Sequence, residues 1–111
     1  MLITSYHDLA FDLEQRQATI ERVVEKLAAY PASVGIVCTG LSGILIGVPA
    51  ADATKRQFAI VRKPNEKSHG WPVEGYRMKD YVIVDDFISR GDTVRYVLET
   101  MAKHVTGVRC R

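Results

Sequence analysis

Apolar residues in the first third of the chain fall at helical spacing. Leu9, Leu13, Ile20, Val23, Val24 and Leu27 share one face, with Glu14, Gln15, Arg16, Glu21 and Glu25 between them, the period of a long amphipathic helix. Ser5-x-x-Asp8 has the look of an N-terminal capping pattern, and Pro31 stops the helix. The pattern then changes. Residues 34–38 form a short apolar run rich in β-branched side chains, expected as a buried strand. Residues 41–53 are small and apolar, expected as a buried helix that Pro49 should kink or shorten. Residues 58–61 predict a second strand, and 64–80, polar with Gly70, Pro72 and Gly75, a long connection of a kind usually functional or mobile. Residues 81–86 predict a third strand. Val94, Val97, Leu98 and Met101 give one clean helical stripe, and 104–110 a fourth strand.

Strands alternating with helices imply a parallel sheet with helices on both faces, an α/β fold. Right-handed crossovers then place ligands beyond the carboxyl ends of the strands, at a topological switch point. The sequence is 111 residues long, the size of one small domain, with 1–33 an N-terminal helical segment and 34–111 the core.

Composition narrows the function classes. The chain is 47% hydrophobic and 25% charged, as an ordinary globular protein is, with a net charge of +2. Its pI near 8.6 suits an anionic small molecule. Lys and Arg are spread without a run or stripe, so no nucleic-acid partner is expected. No apolar run has the length of a membrane span, and MLITSYHD lacks the charged start and apolar middle of a signal peptide. Cys38 and Cys110 suggest two reduced structural thiols in a cytoplasmic protein rather than a disulfide framework or a metal site.

Candidate chemistry concentrates between Tyr81 and Val94. Four apolar residues deliver Asp85 and Asp86 to a strand end; Phe87-Ile88-Ser89-Arg90-Gly91-Asp92-Thr93 follows, and a helix begins. Carboxylates accept hydrogen bonds from sugar hydroxyls, and a helix N-terminus favours a phosphate. Helix capping by Asp92 or Thr93 would explain one polar residue. It would not explain two carboxylates at the end of a buried strand.

This stretch resembles the phosphoribosyl pyrophosphate (PRPP) signature of type I phosphoribosyltransferases. The resemblance implies that Asp85 and Asp86 hold the ribose 2′ and 3′ hydroxyls, while Ser89, Arg90, Gly91, Asp92 and Thr93 wrap the 5′-phosphate. Cys38-Thr39-Gly40-Leu41-Ser42-Gly43, a Gly-containing turn between a strand and a helix, stands where the family grips pyrophosphate. It implies substrate contacts from Thr39, Gly40, Leu41, Ser42 and Gly43, although Ser42 occupies a place often held by Lys or Arg. Arg62-Lys63-Pro64-Asn65-Glu66-Lys67-Ser68-His69-Gly70 resembles the catalytic-loop segment of orotate phosphoribosyltransferases, with one extra residue. Arg62 and Lys63 are accordingly expected at the substrate, and Lys67 and His69, with Asp86, are the catalytic candidates.

As a whole, the resemblance implies a three-layer sandwich whose four strands run in the order 2-1-3-4, without the family's later strands or a full nucleobase-binding hood. It further implies transfer of 5-phosphoribosyl from PRPP, with Mg²⁺ held mainly through the substrate, to a small aromatic acceptor, and a homodimer. The alternative is a PRPP or nucleotide sensor of the same fold with weak catalysis.

Overall fold

The computed structural model describes residues 2–4, 12–62, 72–76, 78–85, 92–105 and 107–111. Its strands are β1 (Leu2–Thr4), β2 (Gly35–Cys38), β3 (Phe58–Val61), β4 (Val73–Gly75), β5 (Asp80–Asp85) and β6 (Arg109–Cys110). Its helices are α1 (Leu13–Leu27), α2 (Leu41–Thr54) and α3 (Asp92–His104). Among these no helix is long and apolar enough to cross a membrane.

Helix α1 starts later than the apolar period suggests. Asp12 is its cap: the carboxylate accepts the Gln15 backbone N–H at 2.9 Å, satisfying one of the donors that a helix start leaves open. Leu9 and the Ser5-x-x-Asp8 pattern lie outside the described residues. At the other end the Arg56 guanidinium donates to four carbonyls, those of Leu27, Tyr30, Pro31 and Val34, at 2.5–2.9 Å. These carbonyls close α1 and the turn into β2. A cation beside a helix C-terminus also opposes the negative end of its dipole. Burial lowers the Arg56 pKa from its ordinary value, but a guanidinium keeps its proton throughout.

The sheet runs β1-β5-β2-β3-β4, and β6 also pairs with β5. Strands β3, β2, β5 and β6 are parallel neighbours and correspond to the expected order 2-1-3-4. Two strands extend it. β1 lies parallel to the upper part of β5, with Thr4 opposite Asp85, and β6 pairs with its beginning, with Tyr81 opposite Cys110. The segment 1–33 is therefore not helical throughout. β4 lies antiparallel to β3, inside the stretch expected to be plain connection.

Period-two alternation divides the core between the two faces of the sheet. On one side Ile36, Cys38, Val82 and Val84 pack with Val23 and Leu27 of α1 and Ile46, Ala50 and Ala51 of α2. On the other, Val37, Ala59, Val61, Tyr81 and Ile83 meet Val97 and Met101 of α3. Gly47 lets α2 come down onto the sheet, since a Cβ there would collide with Cys38 Sγ.

Two expectations about length need correcting. Pro49 neither ends nor shortens α2, which continues to Thr54. The ring removes only its own N–H bond to the Leu45 carbonyl, and the surrounding turns pack on the sheet. The fourth strand shrinks to Arg109–Cys110, because α3 runs on through His104, with Lys103 and His104 at its negative end.

Candidate functional site

The buried run Tyr81, Val82, Ile83 and Val84 carries the backbone to Asp85, the last residue of β5. β2 is buried over its whole length and pairs with β5 so that Cys38 stands opposite Val84. One residue further, Thr39 and Asp85 therefore follow at the carboxyl ends of adjacent parallel strands. The chain leaves β2 through α2 toward β3 on one side of the sheet. It leaves β5 toward α3, on the opposite face. The space between the ends of β2 and β5 is thus the topological switch point, where an open α/β sheet has its crevice.

The turn into α2 is built for close approach. Gly40, the cap residue, adopts φ 78° and ψ 158°, a region open in practice only to glycine. It offers no capping side chain, and the first turn carries no acidic residue. The first N–H groups of α2 thus receive no capping bond from Gly40. Beside them Thr39 is fully buried, and its Oγ1 has no hydrogen-bond partner among the described residues. A buried hydroxyl without a partner costs free energy; an oxyanion at the helix start would relieve that cost. The Cys38 thiol steadies the turn from below, donating to the Gly43 carbonyl at 3.3 Å.

At the next strand, Arg62 follows β3 and is held on three sides. Its N–H donates to the Pro72 carbonyl at 2.7 Å, its guanidinium pairs with Glu74 of β4 at 2.6 Å, and its carbonyl accepts the Tyr96 hydroxyl of α3 at 2.8 Å. The guanidinium expected at substrate is thus engaged with Glu74. Glu74 and Tyr96 had no signal in the sequence: Tyr96 lies off the apolar stripe of α3, and Glu74 belongs to a strand too short to show a period.

Of the residues singled out from the sequence, Thr39, Gly40, Leu41, Ser42 and Gly43 lie at the start of α2, Asp85 ends β5, and Asp92 and Thr93 open α3. Lys63, Lys67, His69, Asp86, Ser89, Arg90 and Gly91 lie outside the described residues. Among the described residues two titrations are displaced, and both belong to the opposite end of the sheet. Arg56 is one; Tyr81, at the beginning of β5, is pushed up to about 12 by burial first and by Cys110 second. Among the described residues no three His, Cys, Asp or Glu side chains converge on a point that could hold a metal ion.

As a sequence, the chain matches no family model and no curated protein. Its fold does have counterparts. Adenine phosphoribosyltransferase from Thermoanaerobacter pseudethanolicus superposes with a TM-score of 0.66 at 20% identity, over 90% of this chain and 67% of that one. The fold is that of a phosphoribosyltransferase. Purine phosphoribosyltransferase from Pyrococcus horikoshii gives 0.64 at 18% identity, over 98% of this chain and 74% of the other. UMP synthase from Leishmania donovani gives 0.59 at 18% identity, over 85% of this chain and 21% of that longer one.

Proposed function

We propose that this chain transfers a 5-phosphoribosyl group from Mg-PRPP to a nitrogen of a nucleobase or similar small aromatic acceptor, releasing pyrophosphate. The observation that carries the reading is the pairing of Cys38 with Val84. It sets the open start of α2, with the buried Thr39 hydroxyl, next to the strand end that bears Asp85. An anion site and a sugar-hydroxyl site then adjoin, as a phosphorylated ribose with a pyrophosphate leaving group requires.

In this reading Asp85 and Asp86 accept the ribose hydroxyls, and residues 89–93 receive the 5′-phosphate at the start of α3. Thr39, Gly40, Leu41, Ser42 and Gly43 receive the pyrophosphate. The bond from C1 to the pyrophosphate oxygen breaks with its electron pair leaving on pyrophosphate. The acceptor nitrogen then forms the new bond to C1 and loses its proton to solvent. Carboxylates beside the ribose favour the positive charge that develops at C1, and Lys67 and His69 oppose the negative charge on the departing oxygens. Mg²⁺ arrives as part of the substrate. The Asp85 and Asp86 carboxylates and the Thr39 hydroxyl would offer oxygen ligands of the kind this hard cation prefers, while the backbone N–H groups at the helix starts would face phosphate oxygens.

Incubation with Mg-PRPP and a panel of bases tests the reaction, read as base-dependent pyrophosphate release. Calorimetry on Asp85→Asn/Asp86→Asn tests the site. Hydrogen bonds to charged groups contribute about 1.5–3 kcal/mol each, so the double variant should bind PRPP far more weakly while keeping its fold. Unchanged affinity refutes the assignment. One observation favours a second reading: no basic residue stands in α2 near the pyrophosphate turn, where Ser42 takes the usual cation's place. Saturable PRPP binding without release would identify a sensor.

A further inference from the structure

Lys and Arg are spread along the chain, which argues against a nucleic-acid partner, but the fold gathers them in space. Strands β2, β3, β5 and β6 begin at one end of the sheet, where α1, α2 and α3 finish. This end lies opposite the crevice. Among the described residues, seven of eleven Lys and Arg belong to it, against three of ten Asp and Glu: Glu25, Asp52 and Asp80. Arg56 is turned inward onto carbonyls. Lys26, Lys55, Lys79, Lys103, Arg109 and Arg111 are exposed. Asp80 offsets part of the charge on Arg109 and Arg111, which it meets at 3.0 and 4.0 Å. The helices offset more. Three C-termini amount to about one and a half negative charges, still short of the excess of seven cations over three acids.

An aromatic ring stands among these cations. The Tyr76 N–H donates to the Phe58 carbonyl at 3.0 Å, where β3 begins. Met78 is buried against Gly35, where β2 begins. Lys79 leads into β5, and its carbonyl accepts the Arg109 N–H at 2.5 Å. Tyr76, Met78 and Lys79 therefore lie across the beginnings of β3 and β2. Tyr76 is 55% exposed, and Lys55 and Gln57, just before β3, are exposed as well. The other exposed large hydrophobics among the described residues, Leu13, Leu41, Val48 and Leu98, lie at the starts or middles of helices.

We propose that this end of the sheet docks a single-stranded nucleic acid, its phosphates meeting the exposed cations and a base stacking on the Tyr76 ring. Neighbouring strands lie about 4.8 Å apart, so the row from β6 to β4 is roughly 19 Å long, enough for several nucleotides. Phosphate contacts from Lys and Arg give affinity without regard to sequence, and an aromatic face accepts any unstacked base. A duplex keeps its bases stacked on one another and could not use the ring. A membrane-docking surface inserts aliphatic side chains between lipids, and among the described residues none of the large exposed ones lies at this end. An acidic peptide would meet the cations but brings no planar base to Tyr76. The inference does not depend on the proposed reaction, since none of these residues lies at the crevice.

Fluorescence anisotropy of a labelled oligouridylate with the full chain should give a micromolar dissociation constant at physiological salt. With about four phosphates neutralised, affinity should fall roughly fiftyfold between about 50 and 200 mM salt. Lys55→Glu/Lys79→Glu should weaken binding about tenfold or more and flatten that salt dependence. Arg22→Glu/Arg95→Glu makes the same charge change at exposed positions away from this end, and should stay within about threefold of the parent. Tyr76→Ala should weaken binding about tenfold with the salt dependence unchanged, while Tyr76→Phe binds as the parent does. Circular dichroism checks that each variant is folded. Excess Mg-PRPP should not displace the oligonucleotide. The assignment is overturned by absent binding at low salt, by a folded Lys55→Glu/Lys79→Glu or Tyr76→Ala protein that binds as the parent does, or by displacement with PRPP. Equal affinity for polyglutamate or for phosphatidylserine vesicles overturns it too.

Discussion

Replacing Arg56 tests what holds the helical layer to the sheet. In Arg56→Ala the carbonyls of Leu27, Tyr30, Pro31 and Val34 lose their shared donor at once. Hydrogen bonds to a charged group contribute about 1.5–3 kcal/mol each, so the gross loss is roughly 6–12 kcal/mol. Much of it returns. The Arg56–Pro31 bond is exposed, so water replaces part of the set, and the variant no longer desolvates a guanidinium or orders a long side chain. A net loss of about 3–4 kcal/mol remains, large for a single substitution. For a chain of this length each kcal/mol moves Tm by about 4 °C, so thermal unfolding followed by circular dichroism should shift down by about 12–16 °C. Arg56→Lys separates charge from geometry. An ammonium keeps the favourable dipole term but cannot reach four carbonyls as a planar fork does, and it should recover less than half of the loss. A fall in Tm below about 3 °C for Arg56→Ala, or full recovery by lysine, would refute the argument that the fork closes α1.

Two further predictions follow from single groups. Tyr81, raised to about 12 from the ordinary tyrosine value of 10.0, ionises in the unfolded chain before it does in the folded one. Its contribution is fully present below pH 10 and is lost as pH rises toward 12, by at most about 1.4 kcal/mol per pH unit; Tyr81→Phe should flatten that alkaline decline in urea-unfolding titrations, and an unchanged slope would count against the burial account. Lys67→Ala should lower kcat and kcat/KM together by roughly a hundredfold or more, the scale of one lost transition-state donor, with little change in PRPP affinity by calorimetry; lost binding with turnover spared at saturation would make Lys67 a ground-state contact instead.

Local patterns were enough for the parallel core. The apolar runs at β2, β3 and β5 and the buried positions of α1 and α3 span lengths that burial enforces, although Leu13 and Leu98 of the expected stripes stay exposed, and Thr39 and Asp85 stand at adjacent strand ends. Short elements left no such trace. β1 and β4 have three residues each, too few to display a period, and exist because β5 and β3 present free edges to them. Pro49 inside α2 contradicts local propensity; packing of the surrounding turns overrides it.

The sequence by itself determined which segments would be buried and that strands and helices alternate, because these depend on neighbours a few positions away. Tertiary structure alone decided the pairing of Cys38 with Val84, which sets Thr39 and Asp85 at adjacent strand ends. It also assigned Arg62 to Glu74 and Tyr96, and set Arg56 on the carbonyls behind it. Each of these joins residues far apart along the chain, and the energy that selects them is burial and hydrogen bonding in the assembled sheet, which no local pattern encodes.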